Sequence, residues 1–257
     1  MKRYFIMLIV LLIAGTACSI SGNTSASETQ EPIIFSTATK SSATSTQDIS
    51  GSALTQIAQQ TLAYQPTRNF QPQGNLIWSD NFGNISSGWY SLNESDRFSD
   101  YYSGGYRMWL DVVQYDIWAT AGQSFTGSVS VEVDATKIGG TDDNDFGVIC
   151  NYQDAENFYV GLISSDGYAV IAKYQNQAWS YLSSDSMEPT DAINQGSATN
   201  HIRLDCISGE LTLYVNGIYV TNAYDDSFSS GDIGLQVGNF DSSGVDIFFD
   251  NVEVRIP

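Results

Sequence analysis

The stretch from Gly139 to Tyr174, GGTDDNDFGVICNYQDAENFYVGLISSDGYAVIAKY, narrows the fold more than any other part of the chain. It reads as an acidic loop followed by three strands, DFGVICNYQ, NFYVGLIS and GYAVIAKY. Between the last two lies SSDG, whose Asp166-Gly167 pair is a strong hairpin signal. The pattern repeats from Asn75 onward. Short strand-like runs such as LIWSDNF, GYRMWLDVV, SVSVEVDATKI, NHIRLDCIS, GDIGLQVGNF and VDIFFDNVEVRIP are separated by Gly, Asn and Asp turns. In SVSVEV, Val129, Val131 and Val133 face one way while Ser128, Ser130 and Glu132 face the other, which marks a sheet with one wet face. Helical periodicity is missing from this region. The expected fold is therefore all-β: a two-sheet antiparallel sandwich over residues 75–257, with the last strand returning beside the first.

The N-terminus reads as a targeting segment. Lys2 and Arg3 precede an apolar run, Tyr4 to Ala17, that is short for a membrane span. Residues 1–17 then form a lipoprotein-type signal peptide, and Cys18 is the lipidated residue. The GTAC ending is similar to a bacterial lipobox, with Gly15 where Leu is usual; cleaved secretion and an uncleaved anchor are the alternatives. Residues 18–74 read as a disordered stalk, since 19–50 alone hold 15 Ser or Thr and little apolar period. The expected location is extracytoplasmic, with the membrane met only through the lipid. In an oxidising compartment the two remaining cysteines, Cys150 and Cys206, can pair. Alternation turns Cys150 inward with Phe146 and Val148, and Cys206 inward with Ile202 and Leu204. Two buried thiols are the alternative.

The runs GGTDDNDFGVICNYQDAENFY, SSDGYAVIAKY, NHIRLDC, LTLYVNG, GDIGL and FDNVEV come in an order that resembles concanavalin A-like jelly rolls. Within that superfamily they look most like the 3-keto-disaccharide hydrolase-like domains of bacterial surface lipoproteins. The resemblance covers Asn75 to Pro257. It implies a jelly-roll sandwich with one concave face open to carbohydrate. Relatives often carry Arg where this chain has Asn151, and Glu where it has Leu162. Both departures count against a hydrolytic site.

The charge and the motifs bound the chemistry. The chain holds 29 acidic residues against 10 Lys and Arg, a formal charge of −19, so phosphate backbones are repelled and nucleic acid is not an expected partner. A glycosidase needs paired carboxyls. The nearest motif, EVDATK, offers Glu132 and Asp134 but has Lys137 where a second Glu would stand. His201 is the only histidine and reads as a solvated strand residue. Asp142, Asp143 and Asp145 in the acidic loop, and Asp250 placed near Asp80, are hard-oxygen candidates for a structural calcium, although no cofactor is required. In GYRMWLDV, Met108 and Leu110 alternate with Arg107 and Trp109, which puts the latter pair outward as a flat platform and a donor for sugar hydroxyls. Tyr159 is expected beside Asn151 on the same ligand face, with Trp89, Trp118 and Trp179 rimming a groove. The expected function is a non-catalytic module for carbohydrate or another cell-surface polymer. A glycoside-acting hydrolase and a structural or protein-interaction domain are the alternatives.

Overall fold

The computed structural model describes residues 74–257; the expected signal segment, the expected lipid site at Cys18 and the expected stalk up to residue 73 lie outside them. Sixteen strands make up the regular structure of the described residues. In chain order the first eight are β1 (Asn75–Asp80), β2 (Leu92–Asn93), β3 (Arg97–Tyr102), β4 (Gly105–Leu110), β5 (Tyr115–Thr126), β6 (Val129–Gly139), β7 (Asn144–Asp154) and β8 (Asn157–Ile163). The rest are β9 (Tyr168–Gln175), β10 (Ala178–Tyr181), β11 (Glu188–Pro189), β12 (Thr199–Ile207), β13 (Glu210–Val215), β14 (Ile218–Tyr224), β15 (Ser230–Asn239) and β16 (Val245–Ile256). They form two antiparallel sheets. The nine-stranded sheet runs β14-β13-β12-β6-β16-β4-β3-β2, with β1 also on β16. The seven-stranded sheet runs β10-β9-β8-β7-β15-β5, with β11 also on β9.

The Gly139–Tyr174 stretch folds as its pattern requires. β7, β8 and β9 are consecutive hairpin partners, and the β8–β9 turn closes with Ser164 N–H donating to Tyr168 O and Gly167 N–H to Ser164 O. Gly167 sits at φ +101, a conformation that penalises a side chain, which is why Asp-Gly works there. The inner faces interdigitate. Val131, Val133, Ile202 and Leu204 from one sheet meet Phe146, Val148, Leu235 and Val237 from the other, all fully buried. Cys150 on β7 and Cys206 on β12 form a disulfide. Because β7 and β12 belong to opposite sheets, the bond staples the sandwich through its core. The first strand does pair with the last: Asn75 faces Ile256 and Asp80 faces Val252.

The expected wet face of β6 is a different environment. Glu132 is 2% exposed rather than solvated. β6 lies between β12 and β16, and long side chains from both fold over it. Arg255 Nε donates to Glu132 Oε1 at 3.1 Å, and His201 Nε2 lies 3.0 Å from Glu132 Oε2. The other His201 nitrogen, Nδ1, is 2.8 Å from Asp134 Oδ1. His201 is therefore clamped at both nitrogens, not solvated. Burial alone would push the imidazolium down, but the hydrogen bonds and charges of Asp134 and Glu132 outweigh it and lift the pKa to about 9.

Two stability outcomes follow from these links. The disulfide closes a sequence separation of 56 residues. Replacing both cysteines by serine should lower unfolding free energy by roughly 4 kcal/mol on the chain-entropy model, read as a denaturant midpoint shift at constant slope. A midpoint unchanged by the double replacement would rule this out. For His201 the folded pKa is raised, so its stabilisation is complete below about pH 6.5 and is lost as pH climbs through about 9. The stability difference between wild type and His201→Gln should shrink by roughly 3 kcal/mol across that window; a difference independent of pH would refute the clamp.

Candidate functional site

The outward residues of β3 and β4 build a shallow depression at the far side of the nine-stranded sheet. β4 alternates strictly: Tyr106, Met108 and Leu110 are fully buried, while Arg107 and Trp109 stand outward and half-buried. Asn93, Glu94, Phe98, Arg107 and Trp109 line a hollow of about 310 Å³. Arg107 is held rigidly. Its Nε donates to Asp246 Oδ1 at 2.8 Å and its Nη2 to Asp246 Oδ2 at 2.6 Å. Its guanidinium lies 5.2 Å from the Tyr102 ring centroid and 5.8 Å from that of Phe98. The hydrogen bonds that Arg107 donates to Asp246 push the arginine pKa up further, so this is a fixed cation beside an indole.

Asn151 and Tyr159, expected on the same ligand face, are elsewhere and occupied. Asn151 adopts φ 51 at an irregularity in the β7–β8 register, which breaks the alternation that would have turned it outward. It is 6% exposed, and its Nδ2 donates to Phe228 O at 3.0 Å. Tyr159 pairs with Cys150 across the strands and faces the core. Its hydroxyl donates to Asp225 Oδ1 at 2.6 Å and accepts from Phe228 N–H at 3.0 Å. Both side chains hold down the 225–228 loop. Lys173 completes that anchor with an ion pair to Asp225, and the Asp225 carboxyl is held well below the usual range.

The calcium candidates do not gather. Asp142 pairs with Lys137, while Asp145 turns beneath the outer face of the seven-stranded sheet. Asp250 does come within electrostatic reach of Asp80, and burial together with Asp134 and Asp80 raises it to about 6. Asp80, however, accepts from Phe82 N–H at 2.8 Å and from the Trp89 indole at 3.0 Å. Among the described residues no group of three or more His, Cys, Asp or Glu side chains is arranged to hold a metal.

The outer face of the seven-stranded sheet is closed over much of its area. Ile149, Phe158, Val160, Leu162, Val170 and Ala172 form a buried apolar cluster there. Trp118, Trp179 and Tyr181 pack against it. Trp179 is carried by β10 and stacks against Tyr174 with centroids 4.7 Å apart. Trp118, expected at a loop or strand end, is mid-strand on β5. Trp89, expected at a rim, is core at 5% exposure. Leu162, read against the resemblance as a departure from Glu, lies inside this apolar cluster. Sequence reasoning missed Asp116 and Gln236 on this face. The alternation Asp116-Ile117-Trp118-Ala119 is the available signal, because it turns the acid and the indole outward together.

No protein-family model matches the chain and no curated protein matches it in sequence. Its likeness to solved structures is one of shape. The carbohydrate binding module CBM66 from Bacillus subtilis superposes with a TM-score of 0.54 at 20% identity, over 66% of this chain and 96% of that one. A Bacillus subtilis protein of unknown function with a galectin-like fold gives 0.52 at 10% identity, over 72% and 97%. The GH43 protein BlXynB from Bacillus licheniformis gives 0.52 at 12% identity, over 74% of this chain and 40% of that one. The described residues have the concanavalin A-like fold, a jelly-roll sandwich of two antiparallel sheets.

Proposed function

We propose that this domain is a non-catalytic saccharide-binding module, held outside the cytoplasmic membrane by a lipid at Cys18 and a Ser/Thr-rich stalk. The ligand is carbohydrate or another hydroxyl-rich cell-surface polymer. One observation carries the reading: an immobilised guanidinium stands beside a half-exposed indole in a hollow that also offers Glu94 and Asn93. Trp109 provides a flat apolar surface for a pyranose ring. Asp246 takes one edge of Arg107, leaving its other N–H groups for ligand hydroxyls. Shape likeness to a carbohydrate binding module supports the same reading. Hydrolysis at the EVDATK strand is disfavoured, since Glu132 and Asp134 are neutralised by His201 and Arg255 and bonded by Asn251.

The test is a glycan array with the full chain, with and without a calcium chelator, followed by titration of the best ligand. Trp109→Ala should weaken binding at least tenfold, about 1.4 kcal/mol, with an unchanged thermal midpoint, because the indole is not in the core. Chelator should leave affinity unaltered. Absence of any bound glycan, or equal affinity in Trp109→Ala, would overturn the assignment.

A further inference from the structure

On the opposite sheet, three polar side chains converge that neither the fold nor the Arg107–Trp109 hollow needs. Gly238 on β15 pairs with Asp116 on β5 and with Asp145 on β7. A Cβ built on Gly238 would collide with Oδ1 of both aspartates, so the two oxygens share one gap. A Cβ there would be 2.2 Å from one oxygen and 2.6 Å from the other, so the two oxygens are less than 5 Å apart. Two residues earlier on β15, Gln236 projects to the same side. It is 1% exposed, and neither Oε1 nor Nε2 finds a hydrogen-bond partner. Its amide lies close enough to Asp145 to favour the charged carboxyl, without closing to a hydrogen bond. Asp145 is 6% exposed, and its Oδ1 is likewise unpartnered.

We infer that Asp116, Asp145 and Gln236 form a second ligand site that takes vicinal hydroxyls of a saccharide ring against the indoles of Trp118 and Trp179. Leaving three buried polar atoms unpaired is costly, and native folds keep such atoms where a ligand or water completes them. A cation would satisfy the oxygens but not the Gln236 N–H groups. A vicinal diol donates and accepts at each hydroxyl and satisfies all three. The pair suits this need. Burial raises both carboxyls, Asp116 to about 6 and Asp145 well above the usual carboxylate value, with Asp116 adding repulsion to the latter. Raised together, the two carboxyls hold a proton more readily than free carboxylates do, so the pair is suited to offer a donor as well as acceptors. The groups acting on it are the Trp179 indole, which favours charged Asp116, the Gln236 amide, and Asp143, which repels charge on Asp145. Tyr181 faces both carboxylates and is itself raised by burial and by them.

This site is independent of the Arg107–Trp109 reading, and each has its own reporter. The full chain, labelled with ¹⁵N on tryptophan and glutamine, is titrated with glucose, galactose, mannose, fructose and xylose to about 100 mM, enough to saturate a millimolar site. At least one sugar should move the Trp179 indole and Gln236 amide signals on a single saturating curve. Asp116→Asn should weaken that curve at least tenfold, and Trp109→Ala should leave it unchanged. Gln236→Leu supplies the same check if Asp116→Asn fails to fold, and retention of the Trp109 indole signal reports folding in either case. Signals that no sugar moves at the highest concentration would overturn the inference. So would a curve that survives both Asp116→Asn and Gln236→Leu, or one that vanishes only in Trp109→Ala. Movement of the Trp109 signal alone would leave the first reading standing and remove the second.

Discussion

The last strand holds the nine-stranded sheet together. β16 is hydrogen-bonded to β6 on one side and to β4 and β1 on the other. β1 to β4 join the sheet only through it or through one another. Its Ile247, Phe249, Val252 and Val254 enter the core, while Asp246, Glu253 and Arg255 reach the outer face. The same strand therefore buries apolar surface, clamps Arg107 and covers Glu132. The paired residues of β1 and β16 stand 172 (Asp80 and Val252) to 181 (Asn75 and Ile256) positions apart, and such non-local pairing is slow to form because loop closure precedes its reward. The Cys150–Cys206 bond, which joins the sheets within the central part of the chain, limits what the unfolded chain must search.

The two outer faces solve the problem of polar burial differently. On the nine-stranded sheet, charge is matched by charge: Glu132 with Arg255 and His201, Asp246 with Arg107, and Asp205 with Arg203, whose guanidinium sits 4.0 Å over the Tyr214 ring. A removed partner there leaves a buried ion uncompensated, so the belt orders the face even where each pair contributes little net stability. On the seven-stranded sheet the covering is apolar, and no cation appears among the groups that shift Asp116 or Asp145. A strongly acidic chain with few cations cannot match every carboxylate, and the Asp116–Asp145 pair is one place where no cation is at hand.

Most of the sandwich is legible in the chain, because period-two alternation and Asp-Gly or Asn-Gly turns are local signals. The three-strand block, the inward cysteines, the outward Arg107–Trp109 pair and the β1–β16 closure all come from such signals. Asn151 departs from its expected outward position because alternation presumes a regular strand, and a single residue at φ 51 cancels it. Tyr159 faces the core, not the expected ligand face, and its hydroxyl is taken by a distant loop, residues 225–228, that strand periodicity does not locate. Trp118 is displaced from the expected rim because β5 runs through it as a regular strand. The Asp116–Asp145–Gln236 convergence needs the order β7-β15-β5, which places residues far apart in sequence side by side through one glycine. No spacing along the chain encodes it.

The apolar plug and the acid pair on the seven-stranded sheet are parts of one arrangement. Leu162 and its neighbours Phe158, Val160 and Val170 occupy the middle of that face, and β10 lays Trp179 over them. The same Trp179 directs its indole N–H at Asp116, and Trp118 stands beside Gln236 across the β5–β15 pairing. Filling the middle of the face with hydrocarbon thus lowers the polarity around the carboxyls at its end, which is what lifts their pKa values. With Glu in place of Leu162 that environment would be wetter and more negative, and a carboxyl pair with raised pKa values next to it would be harder to keep. Hydrocarbon in the middle of the face favours an aromatic-walled carboxyl pair at its margin.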